Sequence, residues 1–92
     1  MDEEYFYDLC ISGTINELTI YINLYNIDVN MDDGYYLMLI CVRDEIKYLE
    51  LFIDFGVNIH YDDDEIMKYV ANIGHINILK LLIEKNICIN II

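Results

Sequence analysis

The sequence predicts an all-α fold, three helix-turn-helix units stacked side by side into a short solenoid. Three observations predict it. A segment recurs three times: Cys10–Leu18, Cys41–Leu49 and Ala71–Leu79, each with a small residue first, an isoleucine five later (Ile15, Ile46, Ile76) and a leucine eight later. Each copy holds two stretches of helical apolar periodicity separated by a tight turn. Strand-like residues are confined to short tails, Asp28-Val29-Asn30, Asn58-Ile59-His60 and Cys88-Ile89-Asn90, thirty residues apart. The first copy carries one extra residue within Ile22–Asn26. A helix pair of roughly 30 residues cannot bury its apolar face alone; stacking copies gives one continuous core.

In the first unit, about residues 1–33, helices are expected over Glu3–Ser12 and Ile15–Tyr25. Thr14 and Glu17 have capping-box spacing, and Asn26 stands where a helix end favours a left-handed residue. In the second unit, about 34–63, the expected helices are Tyr35–Arg43, with Asp33 before it as a cap, and Glu45–Phe55, ended by Gly56. In the third, about 64–92, they are Glu65–Ile73 and Ile76–Lys85. Asp62 and Glu65 again have capping-box spacing, and Asn86 is the counterpart of Asn26 and Gly56.

Ninety-two residues make a single domain with a small core. Hydrophobic content is 57%, yet the apolar run Leu37–Val42 ends at Arg43, far short of the roughly 18 residues that span a bilayer. The acidic start Met1-Asp2-Glu3-Glu4 is the opposite of a basic secretory leader, so no leader is expected. Three cysteines, Cys10, Cys41 and Cys88, form no close pair. That spacing suits neither a disulfide framework nor zinc, and a reducing, cytoplasmic compartment is expected.

The net charge of −12 is uneven: −8 over residues 1–33, −4 over 34–63 and zero over 64–92. No basic stripe exists to neutralise phosphates, so direct nucleic-acid binding is disfavoured. Acidity of this kind either keeps an apolar chain soluble or attracts a basic partner.

The repeated residues resemble ankyrin repeats over nearly the whole chain. The third copy supplies Ala71, Gly74-His75, Ile78-Leu79, Leu81-Leu82 and Asn86-Ile87-Cys88-Ile89-Asn90. The second supplies Cys41, Ile46, Leu49, Leu51-Phe52 and Gly56-Val57-Asn58-Ile59-His60, and the first Cys10, Gly13, Ile15, Leu18 and Val29-Asn30. Two departures stand out. The Thr-Pro-Leu-His opening is replaced by Tyr35-Tyr36-Leu37-Met38 and Glu65-Ile66-Met67-Lys68, and the link Met31–Gly34 is short, curtailing the projecting hairpin loop. Both features resemble the mimivirus-like ankyrin repeats of giant DNA viruses of amoebae. The resemblance implies a viral protein acting in the infected host's cytoplasm, non-enzymatic and without cofactors.

The residues that could carry chemistry mostly read as structural. The resemblance places His75 at a turn position where histidine bonds backbone, and His60 stands where other copies have Asn30 and Asn90. Asp62-Asp63-Asp64-Glu65 lacks a glycine-centred calcium loop and sits at a helix start, as does Asp32-Asp33, so capping is the expected role. Cys10 and Cys41 occupy the small, buried site that Ala71 is expected to fill in the third copy. No nucleophile–base pair, phosphate loop or metal set is present.

Binding is therefore the expected work. Such repeats bind through loop tips and the inner face of the first helices, which maps onto Tyr35, Tyr36, Leu39, Arg43, Tyr61, Ile66, Tyr69 and Ile73. Tyr and Arg are enriched among residues that dominate interface energies, although a tyrosine can equally pack in the core. The partner is expected to be a protein. The alternative is an acidic decoy that occupies a basic nucleic-acid-binding protein. The last unit also leaves Leu79, Leu82, Ile83, Ile87, Ile89, Ile91 and Ile92 at an apolar, uncharged end, which predicts a homodimer through the C-terminal repeat.

Overall fold

The computed structural model describes the backbone of residues 1–90 and the side chains of residues 1–60 and 65–85. It contains α1 (Glu3–Ser12), α2 (Ile15–Tyr25), a 3-10 turn (Met31–Gly34), α3 (Tyr35–Val42), α4 (Ile46–Asp54), α5 (Tyr61–Ile73) and α6 (Ile76–Asn90). Among the described residues there is no strand. Each helix packs on its pair-mate; α3 also lies against α1 and α5, and α4 against α2 and α6. The result is two layers, α1-α3-α5 and α2-α4-α6, in a short ankyrin-like helical repeat array.

Local chemistry accounts for the ends. The Asp2 carboxylate accepts from the backbone N–H of Glu4 (3.0 Å) and Tyr5 (3.3 Å), starting α1. At Gly13 the N–H returns to the Leu9 carbonyl at 2.8 Å. A Cβ there would lie 2.7 Å from that same oxygen, so only glycine fits. The expected capping box on α2 is present, with Thr14 N–H donating to Glu17 Oε1 (2.9 Å) and Glu17 N–H to Thr14 Oγ1 (3.1 Å). Asn26 closes α2 in the left-handed region, φ 50°.

The core runs between the layers through Phe6, Leu18, Leu37, Leu49, Phe52 and Leu82, all essentially without solvent contact. Burial at equivalent positions shows the direction of stacking. Tyr36 and Ile66 are buried while Tyr5, one unit earlier, is 47% exposed, so this position faces backwards along the stack. Cys10 and Cys41 are buried, as expected, but Ala71 is exposed, so that position faces forwards. The expectation that Ala71 fills a buried site is therefore corrected: no described helix covers the forward side of α5.

Four further expectations are corrected. The third unit's first helix starts at Tyr61 rather than Glu65, taking Asp62, Asp63 and Asp64 into its first turn, where the positive end of the dipole favours them. Hence His60, not Asp62, precedes that helix, and no side-chain bond caps it. Asp33 is no cap either. Asp32, Asp33 and Gly34 all take left-handed conformations (φ 57°, 54° and 83°), which reverse the chain before α3 begins. Finally, α6 continues through Asn86 to Asn90, so the residues read as a tail are helical. Asparagine takes up the left-handed stop less readily than glycine, which adopts it at Gly56 (φ 87°).

Candidate interaction surface

The first junction, between units one and two, is closed by polar ties and rings. At the end of α1 the Leu9 carbonyl is met by the Gly13 N–H, and the carbonyls beyond it need a donor from outside the helix. Arg43, at the end of α3, supplies it: its Nη1 donates to the Cys10 carbonyl (3.2 Å) and adds a second, longer bond to that of Leu9 (3.4 Å). Its guanidinium lies 3.6 Å from the centroid of the Tyr48 ring, and the Tyr48 hydroxyl donates to the Gly13 carbonyl at 2.9 Å. Asn30 links the loops, donating to the Gly56 carbonyl (3.1 Å) and accepting from the Asn58 N–H (2.7 Å). Phe6 meets Tyr36 at 4.8 Å, and Tyr7 stacks on Tyr35 at 6.2 Å.

The second junction, between units two and three, is built differently. His75 Nδ1 lies 3.2 Å from the Cys41 carbonyl, so in the tautomer that donates from Nδ1 it caps α3 much as Arg43 caps α1. That is the backbone-bonding turn role expected of this histidine. Along the inner layer, however, α3 and α5 leave a cleft of about 370 Å³. Tyr35 and Tyr69 line it with Leu37, Met38 and Ile66, while Asp32, Asp33, Gly34 and Glu65 contribute its polar lining. Both tyrosines are 40% exposed.

Of the residues expected to bind, Tyr35, Ile66 and Tyr69 are brought together in this cleft. Ile66 is buried and offers only a wall. Tyr36, with 4% exposure, belongs to the core between Phe6 and Tyr35, which corrects its place among surface candidates. Arg43 is half-buried and committed to the first junction. Leu39 is half-buried and Ile73 exposed, neither among the lining residues. The side chain of Tyr61 lies outside the described residues. Sequence reasoning missed Asp32, Asp33, Gly34, Leu37, Met38 and Glu65. Their one visible signal was the Asp-Asp-Gly run, which read as a helix start.

At the apolar end, Leu82 is a fully buried core residue, which corrects its assignment to a self-association surface. Leu79 is half-buried and Ile83 is 40% exposed. The side chains of Ile87, Ile89, Ile91 and Ile92 lie outside the described residues. Unit one, despite its charge of −8, exposes Ile20 and Leu24 on α2 at 66% and 68%.

Burial raises the thiols of Cys10 and Cys41 to about 12, only partly opposed at Cys10 by the charge of Arg43. Partial burial, then the neighbouring Tyr7, raises Tyr35 as well. No group of three or more metal-ligating side chains occurs among the described residues, and no helix there is long and apolar enough to cross a membrane.

Helix pairs joined by short links and stacked in two layers make an ankyrin-like helical repeat array. Over 52 residues, 56% of its length, the chain is 46% identical to a protein of Acanthamoeba polyphaga mimivirus described as an ankyrin repeat protein. The chain is thus ankyrin-like and mimivirus-related, and the match covers 11% of that relative's length. No family model matches the chain. No solved structure matches it either.

Proposed function

We propose that the chain is a non-enzymatic protein-interaction module whose binding surface is the cleft between α3 and α5. The observation that carries this reading is the convergence there of two half-exposed tyrosines, from separate units, over an aliphatic wall. Such an arrangement offers aromatic contact area with little side-chain entropy to lose. Packed helix pairs on either side hold the two rings in place, so the surface is formed before a partner arrives. The ankyrin-like resemblance to a mimivirus protein supports a protein as the partner and a viral setting, with the infected host's cytoplasm as its place of action.

Affinity capture followed by reconstitution with the identified protein tests this reading. Tyr69→Ala and Tyr35→Ala are expected to abolish binding of the identified partner, while Tyr25→Ala, on the outer layer, leaves it intact. Binding unaffected by both cleft variants would refute the assignment of the surface. The uneven charge favours a second reading, an acidic decoy for a basic nucleic-acid-binding protein. That reading requires binding to collapse between low and high salt and to depend on the acids of unit one rather than on Tyr69.

A further inference from the structure

We propose that the α3–α5 cleft receives an arginine side chain from a basic segment of the partner protein. This rests on the interaction reading above and names the chemistry of its ligand. The cleft combines three features that match one kind of side chain. Its walls are aromatic and aliphatic, from Tyr35, Tyr69, Met38 and Ile66, suited to a long apolar stem and a flat cation. Its lining carries three carboxylates, Asp32, Asp33 and Glu65, on exposed residues. Its volume of about 370 Å³ admits an extended side chain and is too small for a folded element.

Charge complementarity selects a cation over a neutral side chain. Among the described residues, no Lys or Arg is within ion-pair distance of Asp32 or Asp33, and Glu65 has only the exposed Lys68 at 3.4 Å. Arg43 is occupied by the α1 carbonyls and Tyr48, and Lys47 also lies towards Tyr48, 5.8 Å from its centroid. Among the described residues, the two aspartates of the cleft have no cation of the chain to neutralise them.

Geometry favours arginine over lysine. A guanidinium can stack on a tyrosine face and still present parallel N–H groups to a carboxylate, whereas an ammonium acts as a point charge. The fold already uses this chemistry once: Arg43 stacks 3.6 Å from Tyr48 while its N–H groups reach two oxygens.

The test is an amide-shift titration of the full chain by NMR with three capped pentapeptides, identical except for a central arginine, lysine or citrulline. The arginine peptide is expected to give saturable shifts at Asp32–Met38 and Glu65–Tyr69, with citrulline about tenfold weaker and lysine between them. Asp33→Asn, which keeps a residue at home in the left-handed region, is expected to weaken the arginine peptide several-fold with an unchanged unfolding midpoint. Tyr69→Ala should do the same. Equal binding of citrulline, or arginine shifts spread over the acids of unit one with the cleft unmoved, would overturn the proposal. If the identified partner depends on Tyr69 but the arginine peptide does not bind, the choice of ligand fails while the interaction reading stands. If the partner ignores Tyr35 and Tyr69, that reading fails as well.

Discussion

The two junctions of the stack solve one structural problem in two ways. Between units one and two, the Cys10 carbonyl at the end of α1 is met by Arg43, the loops by Asn30, and the inner layer is filled by Phe6, Tyr36 and the Tyr7–Tyr35 stack. Between units two and three, His75 meets the Cys41 carbonyl and the inner layer stays open between Tyr35 and Tyr69. At the position equivalent to Arg43 stands Ile73, which cannot donate a hydrogen bond and is exposed. The first junction is closed by side chains along its inner layer. The second leaves a cleft there.

The largest effect should come from emptying the filled junction. Phe6→Ala removes a ring with no solvent exposure from between Tyr21 and Tyr36. A loss of about 3–5 kcal/mol is expected, read by urea unfolding. Tyr69→Ala, in the open junction, should cost less than about 1 kcal/mol. Comparable losses would mean that the junctions do not differ in this way.

Exchanging the polar ties sharpens the contrast. Arg43→Ile places at the first junction the residue found at the second. It removes the bonds to Leu9 and Cys10 and the stacking on Tyr48, an expected loss of about 2–3 kcal/mol. His75→Ala should cost about 1 kcal/mol, the value of a single hydrogen bond. Equal losses would imply that His75 carries as much of the stack as Arg43.

The thiols report on both junctions at once, since Cys10 lies under the first and Cys41 under the second. Burial lifts both to about 12, from an ordinary value of 9.0. The native state therefore keeps its protons at alkaline pH where the unfolded chain loses them. Stability is fully present below pH 9 and is expected to fall as pH rises from 9 towards 12. Thermal melts across that range check the sign. At neutral pH, Cys10 and Cys41 should react with a thiol reagent only as fast as the stack opens.

The smallest expected effect is at the left-handed turn beside the cleft. Asp33→Gly relieves a backbone conformation unfavourable to a side chain but adds freedom to the unfolded state. A net gain within about 1 kcal/mol is expected in unfolding experiments. A marked loss would mean that the Asp33 side chain itself holds the turn.

Much of this fold was legible in the sequence because its signals are local. The turn at Thr14 to Glu17, Gly13 and Asn26 delimit α1 and α2 to the residue. The errors fell where two local readings compete. Asp62 to Asp64 suit a helix's first turn as well as the position before it, and Asn86 can end a helix or continue it. Tyr35 and Tyr36 are adjacent on α3, about 100° apart around its axis. The sequence offered two tyrosines without the phase that buries one and exposes the other. The cleft was invisible for a different reason. It depends on how far α5 stands from α3 and on three consecutive left-handed residues, and neither has a helical periodicity to read.

Hydrogen–deuterium exchange of the identified complex against the free chain tests the central claim most directly. Protection on binding is predicted at Asp32–Met38 and Glu65–Tyr69, with the segment of α2 that exposes Ile20, Leu24 and Tyr25 unchanged. Protection confined to α2, with the cleft exchanging as in the free chain, would contradict it.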